Sequence, residues 1–119
     1  TNMPQFMAAA DVLVTKAGPS TITEAGIAGL PIILSGAIPG QEDGNVQLVV
    51  ENNAGAYAPS PQKVAATVEQ WLKEGPAALA QRAERARTIA RPNAVWEIAD
   101  EVWAAAHRPP VRTTPRAQP

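Results

Sequence analysis

Residues 11–25 read DVLVTKAGPSTITEA, and this stretch decides the fold. Its first five residues, 11–15, form a short, β-branched and largely apolar run, which is typical of a strand buried on both faces of a sheet. Gly18 and Pro19 then break the strand, and a helix is expected to begin at Ser20 or Thr21 and to end near Gly29. The stretch therefore predicts a strand, a tight turn and a helix.

The same order recurs along the chain. Residues 31–34, PIIL, predict a second buried strand, followed by a glycine-bearing loop over residues 35–44 and a helix over residues 45–51. Residues 54–58 predict a third strand, which leads into the Pro-Ser-Pro turn at residues 59–61. Three such repeats predict an α/β fold with a parallel, Rossmann-like sheet. Because three strands are few for a doubly wound sheet, we expect the second half of such a domain.

Three more helices are predicted after this turn, separated by Gly75 with Pro76 and by Pro92. We expect the tryptophans to serve as core or interface anchors in these helices; they are Trp71, Trp96 and Trp103. Residues 108–119 contain four prolines and no acidic residue, which predicts a Pro/Arg-rich disordered tail. Residues 1–107 are then the partial domain.

Composition narrows the possible functions. The chain has 119 residues, is 45% hydrophobic and has a formal net charge of −1, so it is one small globular domain or a piece of one, without the basic surface that nucleic acids require. It has no cysteine and a single histidine, His107, so neither a disulfide framework nor a zinc cluster is expected. No apolar run is long enough to span a membrane, and the chain begins at Thr1 without an initiator methionine. We expect a soluble or membrane-peripheral piece of a longer chain, with no metal or cofactor.

The turn at residues 18–21 is the first candidate site. At a strand-to-helix junction, the unpaired N–H groups of the helix can hold a phosphate. Gly18 would let the backbone come close, and Ser20 and Thr21 could add hydroxyl hydrogen bonds. An ordinary turn with an N-cap explains the same residues. The pattern is neither the dinucleotide fingerprint G-x-G-x-x-G nor a P-loop.

Glu24 follows on the same face of this predicted helix. Its carboxylate could accept hydrogen bonds from both ribose hydroxyls of a nucleotide whose phosphates lie on the helix end. A capping box over residues 21–24, in which Glu24 reaches back to the N-cap N–H, is the alternative.

A second polar loop, residues 38–45, reads IPGQEDGN. Gln41 and Glu42, beside Gly40, offer donors and acceptors suited to sugar hydroxyls, and Asn45 begins the next helix as a third contact or as its N-cap. A solvated Pro-Gly turn is the alternative. Two polar loops at the carboxyl ends of neighbouring strands favour a binding site.

Three blocks, residues 14–25, 29–34 and 38–45, resemble the C-terminal donor domain of monogalactosyldiacylglycerol synthases and related bacterial glycolipid glycosyltransferases, the C-terminal domain of glycosyltransferase family 28. The wider family includes the N-acetylglucosaminyltransferase of lipid II synthesis. The resemblance covers about residues 2–72. It implies a GT-B enzyme with two Rossmann-like domains, of which the C-terminal one holds a UDP-sugar.

The resemblance also implies a role for each candidate residue. The turn from Gly18 to Thr21, including Ser20, would contact the diphosphate, and Glu24 the ribose. The donor-sugar site would be formed by the second loop, by Gly40, Gln41, Glu42 and Asn45. Plant members usually carry glycine at the position of Ser20. No residue of the chain matches the family's acceptor site or general base, which belong to the N-terminal domain.

The implied activity is transfer of a hexose from a UDP-sugar to a lipid acceptor, diacylglycerol, by an enzyme bound peripherally at the cytoplasmic face of the inner membrane. We expect no turnover from the chain alone. Two alternatives remain open: a UDP-N-acetylglucosamine 2-epimerase-like isomerase, although residues 35–44 lack the arginine of those enzymes, and a non-catalytic, truncated nucleotide-binding module. A basic helix face could contact lipid, but a solvated face is the favoured interpretation; it comprises Arg82, Arg85, Arg87 and Arg91.

Overall fold

Short apolar runs alternate with helices in the computed structural model, which describes residues 2–108. The elements are α1 (Met3–Ala9), β1 (Leu13–Lys16), α2 (Pro19–Ala28), β2 (Ile32–Gly36), α3 (Asp43–Glu51), β3 (Gly55–Tyr57), α4 (Pro61–Glu74), α5 (Pro76–Ile89) and α6 (Ala94–Ala106). The α/β class is therefore confirmed. The predicted tail, residues 108–119, lies outside the described residues except for Arg108.

The three strands form one parallel sheet in the order β1-β2-β3. Val14 lies opposite Ile33, and Ile33 lies opposite Ala56. The prediction of a parallel, Rossmann-like sheet is thus confirmed. Since parallel strands point the same way, the loops that follow β1 and β2 leave the sheet at its common carboxyl edge.

Helices cover both faces of the sheet. On one face Ile32 and Leu34 of β2 pack in a buried cluster with side chains from α2, α3 and α5, among them Ile22, Val49 and Ala86. On the other face Ile33 packs with Ala58 and with Trp71 of α4. The central strand β2 is therefore buried on both sides, as its uninterrupted apolar sequence predicts.

Helix α2 lies close against α5. A Cβ atom at Gly26 would come within 2.9 Å of the Ala86 carbonyl oxygen, so the small residue permits this approach. At the end of α2, Gly29 adopts the left-handed conformation with φ of 69° and terminates the helix, as predicted. These contacts fix the C-terminal end of α2 against α5.

The expectation that the first strand is buried on both faces is wrong. Val14 of β1 is 44% exposed, and the strand alternates between half-buried and exposed residues. The reason is position: β1 is an edge strand of this sheet, whereas α4 packs on the central strand β2. Apolar composition indicates a strand here but not how many of its faces are covered.

Two predicted helix starts are also wrong. Helix α2 begins at Pro19, with Gly18 as its N-cap, and not at Ser20 or Thr21. Proline's fixed φ and missing N–H suit the first helical position. Helix α3 begins at Asp43, with Glu42 as its N-cap, so Asn45 is already inside the helix.

The tryptophans do not share one role. Trp71 is 4% exposed and belongs to the core, as predicted, but Trp96 is 72% and Trp103 is 69% exposed. Helix α6, which carries both, contains no buried residue. The apolar stripe of α6 thus predicts the helix correctly. A core role for Trp96 and Trp103 is not met within residues 2–108, and their alternative role as interface anchors stays a prediction.

The arginine face of α5 is solvated at three of its four residues, as predicted: Arg85, Arg87 and Arg91 are exposed, whereas Arg82 is half-buried. Arg82 pairs with Glu74 of α4 at 2.5 Å and lies 4.7 Å from the centroid of the Trp71 ring. The hydrogen bond from Arg82, followed by that from Gln70, holds the pKa of Glu74 below its usual value. Arg82 therefore ties α5 to α4.

Candidate binding site at the carboxyl edge of the sheet

Two loops meet at the carboxyl edge, and each continues into a helix. The first loop, residues 17–18, joins β1 to α2, and the second loop, residues 37–42, joins β2 to α3. Ala17 at the start of the first loop donates its backbone N–H to the Gly36 carbonyl at 2.8 Å, next to the second loop. The edge therefore presents two helix N-termini and the side chains that surround them.

The N-terminus of α2 carries no capping side chain within residues 2–108. Ser20 and Thr21 are its second and third residues, and the first helical backbone bond is donated by Ile22 to the Gly18 carbonyl at 3.1 Å. The N–H groups of Ser20 and Thr21 come before Ile22 in the helix, so they have no carbonyl partner within α2. They lie at the positive end of the helix dipole. Ser20 is exposed and Thr21 half-buried, so an anion could reach both residues.

The capping-box alternative over residues 21–24 is wrong. Gly18, which has no side chain, is the N-cap, and Glu24 is the sixth helical residue, beyond reach of the position that a capping box requires. Glu24 is exposed, and within residues 2–108 no hydrogen bond or ion pair engages its carboxylate. Its carboxylate is thus available to a ligand on the face of α2.

The second loop turns at Gly40, whose φ is 77°. This left-handed conformation favours glycine, and the Gly40 N–H donates to Asp43 Oδ2 at 2.9 Å. The Gln41 N–H donates to the Ile38 carbonyl at 3.2 Å, which closes the turn. The residue Gln41 is exposed. The loop therefore holds Gln41 at the surface of the carboxyl edge.

Glu42, by contrast, is buried, with 3% exposure. Its Oε2 accepts the Ile38 backbone N–H at 2.8 Å, and its Oε1 accepts from Lys16 Nζ at 3.0 Å. The Ile38 N–H, followed by the Lys16 ammonium, holds the pKa of Glu42 below its usual value. Both carboxylate oxygens are thus engaged inside the protein, as a buried charge requires.

Asn45 makes a second link between the loops. Its Nδ2 donates to the Ala17 carbonyl at 2.8 Å. The alternative that Asn45 is the N-cap of α3 is wrong, because Glu42 occupies that position and Asn45 is the third residue of the helix. The side chains of Glu42 and Asn45 therefore both reach from the second strand-helix unit to the first.

All the candidate residues thus lie at one edge, in two groups. The exposed or half-buried group flanks the start of α2 and the tip of the second loop; its members are Gly18, Ser20, Thr21, Glu24, Gly40 and Gln41. Glu42 and Asn45 form the second group, which is defined by side-chain hydrogen bonds to residues 16–17; Glu42 is buried and Asn45 half-buried. No cluster of metal-ligating side chains occurs in the described part of the chain.

Lys16 is the residue that the sequence analysis did not include in the site. It ends β1, its side chain is 65% exposed, and its Cε lies 3.8 Å from the position of a Cβ atom at Gly18. The sequence signal for Lys16 is its position directly after the predicted strand over residues 11–15 and before the turn at Gly18. Pairing it with Glu42, which lies 26 positions away, requires the parallel register of the sheet.

Comparison with known proteins places this architecture in a family. Residues 1–101 match the glycosyltransferase family 28 C-terminal domain. Monogalactosyldiacylglycerol synthase 2, chloroplastic, of Arabidopsis thaliana is 46% identical over 102 residues, which cover 86% of this chain and 22% of that protein. The probable monogalactosyldiacylglycerol synthase, chloroplastic, of Glycine max is also 46% identical over 102 residues, with 86% and 19% covered. The monogalactosyldiacylglycerol synthase, chloroplastic, of Spinacia oleracea is 46% identical over 102 residues, which cover 86% of this chain and 20% of that protein.

The chain spans about a fifth of the length of the curated relatives it matches. The match to the family model nevertheless extends over β1, β2 and β3 and both loops of the carboxyl edge. The chain belongs to the glycosyltransferase family 28 C-terminal domain family.

Proposed function

We propose that the carboxyl edge binds a UDP-sugar and that the chain is the donor-binding part of a hexosyltransferase. The observation that carries this proposal is the uncapped N-terminus of α2, which lies at the same sheet edge as the exposed tip of the second loop. The N-terminus of α2 can bind a diphosphate, and the tip of the second loop can bind a sugar. The family and the names of the relatives, which are synthases of a galactosyl lipid, support the same reading.

The start of α2 holds the diphosphate in this scheme. The N–H groups of Ser20 and Thr21 and their hydroxyls donate hydrogen bonds to phosphate oxygens, and Gly18 keeps the approach open. A helix N-terminus stabilises an adjacent anion by about 0.3–2 kcal/mol. Because negative charge develops on the departing UDP during glycosyl transfer, these donors also favour the reaction itself.

Glu24 and Gln41 orient the two ends of the donor. The Glu24 carboxylate, on the same helix as the phosphate site, accepts hydrogen bonds from the ribose hydroxyls. Gln41, at the tip of the second loop with Gly40, offers an amide donor and acceptor to the sugar hydroxyls. Fixing the sugar relative to its leaving group supplies orientation, which contributes to catalysis without a reacting side chain.

The acceptor in this proposal is a lipid, diacylglycerol, and the enzyme lies peripherally at the cytoplasmic face of the inner membrane. Within residues 2–108 no helix is long and apolar enough to cross a membrane. The acceptor site and the general base come from the N-terminal domain of the full-length protein, so residues 2–108 supply no catalytic residue and do not turn over alone. The scheme requires no metal or cofactor.

The test is hexose transfer by the full-length protein, measured with UDP-galactose, UDP-glucose and UDP-N-acetylglucosamine as donors and diacylglycerol as acceptor. Glu24→Ala and Gln41→Ala are each expected to lower kcat/KM by about tenfold or more, the effect of losing a hydrogen bond to a polar ligand. Glu51→Ala, an exposed carboxylate at the far end of α3, is the matched control and is expected to have no effect.

Unchanged kcat/KM in both site variants would contradict the proposal. Conversion of UDP-N-acetylglucosamine to its 2-epimer without transfer would instead identify an isomerase. Binding of UDP with neither activity would indicate a binding module.

A further inference from the structure

We infer that a polar cavity at the amino edge of the sheet binds a phosphorylated sugar. The cavity has a volume of about 430 Å³, within the range of small-molecule sites. It lies between the start of β3, the end of α4 and one face of α5, and the lining residues that matter here are Asn53, Trp71, Glu74, Gln81, Arg82 and Arg85. The inference goes beyond the proposed function and does not rest on it.

The direction of the chain places this cavity opposite the two loops of the carboxyl edge. Asn53 lies before β3 and Gly55 begins it, whereas Glu74 ends α4, which packs on the sheet and returns to the same edge. Helix α5 completes the wall with Ala78, Gln81, Arg82 and Arg85. These four residues follow the spacing i, i+3, i+4 and i+7, so they share one face of the helix. The cavity therefore brings together polar side chains from three parts of the chain.

Arg82 is already fixed at the wall of the cavity. Its guanidinium lies 4.7 Å from the centroid of the Trp71 ring, and its Nη2 donates to Glu74 Oε2 at 2.5 Å. The side chain is 23% exposed, so the group is partly removed from water. A guanidinium has five N–H donors, and the bond to Glu74 uses one of them. Arg82 can therefore donate to an anion with little further loss of rotamer freedom.

Arg85 supplies a positive charge that the lining does not balance. It is exposed, and no ion pair engages its guanidinium within residues 2–108. Among the described residues of the lining, Glu74 is the one acidic side chain, and it pairs with Arg82. Planar guanidinium groups form paired hydrogen bonds to phosphate oxygens, and these two arginines lie one helical turn apart. The anionic group of a ligand is therefore expected beside Arg82 and Arg85.

Two amide side chains indicate what the rest of the ligand is. Asn53 and Gln81 line the cavity, and each amide offers donors and an acceptor, which suit sugar hydroxyls. An aromatic ligand is disfavoured, because Trp71 is only 4% exposed and Arg82 lies over its ring. Inorganic phosphate bound to the arginines would leave both amides to water. A small molecule that carries both a phosphate and hydroxyl groups matches the whole lining.

The test is calorimetric titration of the full-length protein with glucose 6-phosphate, inorganic phosphate and glucose, each with and without saturating UDP. Glucose 6-phosphate should bind about tenfold more tightly than inorganic phosphate, because its hydroxyls add hydrogen bonds to the amides. Glucose, which lacks the anionic group, should not bind detectably. UDP should leave these affinities unchanged, since the carboxyl edge is its proposed site.

Substitutions at Arg85 and Gln81 separate the two parts of the cavity. Arg85→Gln should weaken glucose 6-phosphate and inorganic phosphate alike, by about tenfold, through loss of a charge-assisted hydrogen bond. Arg85→Lys should recover part of this loss, because it restores the charge without the planar group. Gln81→Ala should weaken glucose 6-phosphate alone. Arg91→Gln, which removes an exposed arginine outside the cavity, is the matched control and should change neither affinity.

Absence of glucose 6-phosphate binding by the unsubstituted protein would overturn the inference, as would unchanged binding in Arg85→Gln. Equal affinities for glucose 6-phosphate and inorganic phosphate would overturn the assignment of a sugar. Loss of glucose 6-phosphate binding on addition of UDP would place the ligand at the carboxyl edge and contradict the inference. Binding of glucose 6-phosphate without binding of UDP would support the inference and defeat the proposed function.

Discussion

The carboxyl edge of the sheet and helix α6 both have clear sequence patterns, but only the residues of the edge are in contact with residues distant in sequence that the pattern does not name. At the edge, residues far apart in sequence are brought together, as in the ion pair of Lys16 with Glu42. The stripe of α6, with Trp96 and Trp103, has no packing partner that buries it within residues 2–108. A polar loop after a parallel strand has its neighbours fixed by the sheet, whereas an amphipathic helix specifies only that an apolar face exists.

Substituting Trp71, which packs beneath the sheet, and Trp96 of α6 gives the largest expected contrast. Trp71→Ala should lower the free energy of unfolding of the 119-residue chain by about 3–5 kcal/mol, because it opens a cavity beneath β2 and removes the ring on which Arg82 lies. Trp96→Ala should change it by less than about 0.5 kcal/mol, as for other exposed positions. Urea titration followed by circular dichroism measures both values. Equal losses would show that α6 packs against the core in solution.

Gly40 in the second loop and Gly44 in α3 differ in backbone conformation, and alanine substitutions test that difference. Gly40→Ala should cost about 1 kcal/mol of stability, because φ of 77° is unfavourable for alanine. Gly44→Ala, within α3, should instead stabilise by about 0.5 kcal/mol through helix propensity. Neither added Cβ would meet an atom within 4 Å, so the contrast isolates backbone conformation. Changes of the same sign in the two denaturation midpoints would contradict this view of the turn.

The smallest expected effect is the acid dependence of stability. The pKa of Glu42 is lowered on folding by the Ile38 N–H and then by Lys16, so its contribution is present above the unfolded pKa and is lost as pH falls through the folded pKa. Stability of the 119-residue chain measured from pH 6 down to about pH 3 should therefore fall less steeply in Glu42→Gln than in the unsubstituted chain. Glu51→Gln, which removes an exposed carboxylate from the same helix, is the control for the loss of one charge.

Much of this fold follows from the sequence because its signals are local. The breaks at Gly18 and Gly29 and the turn at residues 59–61 bound the elements to within about two residues, and three short apolar runs specify the parallel sheet. The predicted starts of α2 and α3 are wrong because serine, threonine and asparagine are common N-cap residues and therefore favour a helix start at their own positions. Here Gly18 and Glu42 occupy those positions without a side-chain cap.

The sequence locates the two loops of the carboxyl edge but not the contacts between them. Both loops could be located because each follows a strand. That Glu42 faces inward while Gln41 faces outward could not, since it depends on the Gly40 turn and on the register that brings Lys16 within 3.0 Å. Burial of a carboxylate is set by partners distant in sequence, and a single polar run does not reveal which members find them.

The most direct measurement of the central claim is a crystal structure of the full-length protein with UDP. We predict that the diphosphate lies within hydrogen-bond distance of the Ser20 and Thr21 N–H groups. A diphosphate bound away from the start of α2 would contradict it.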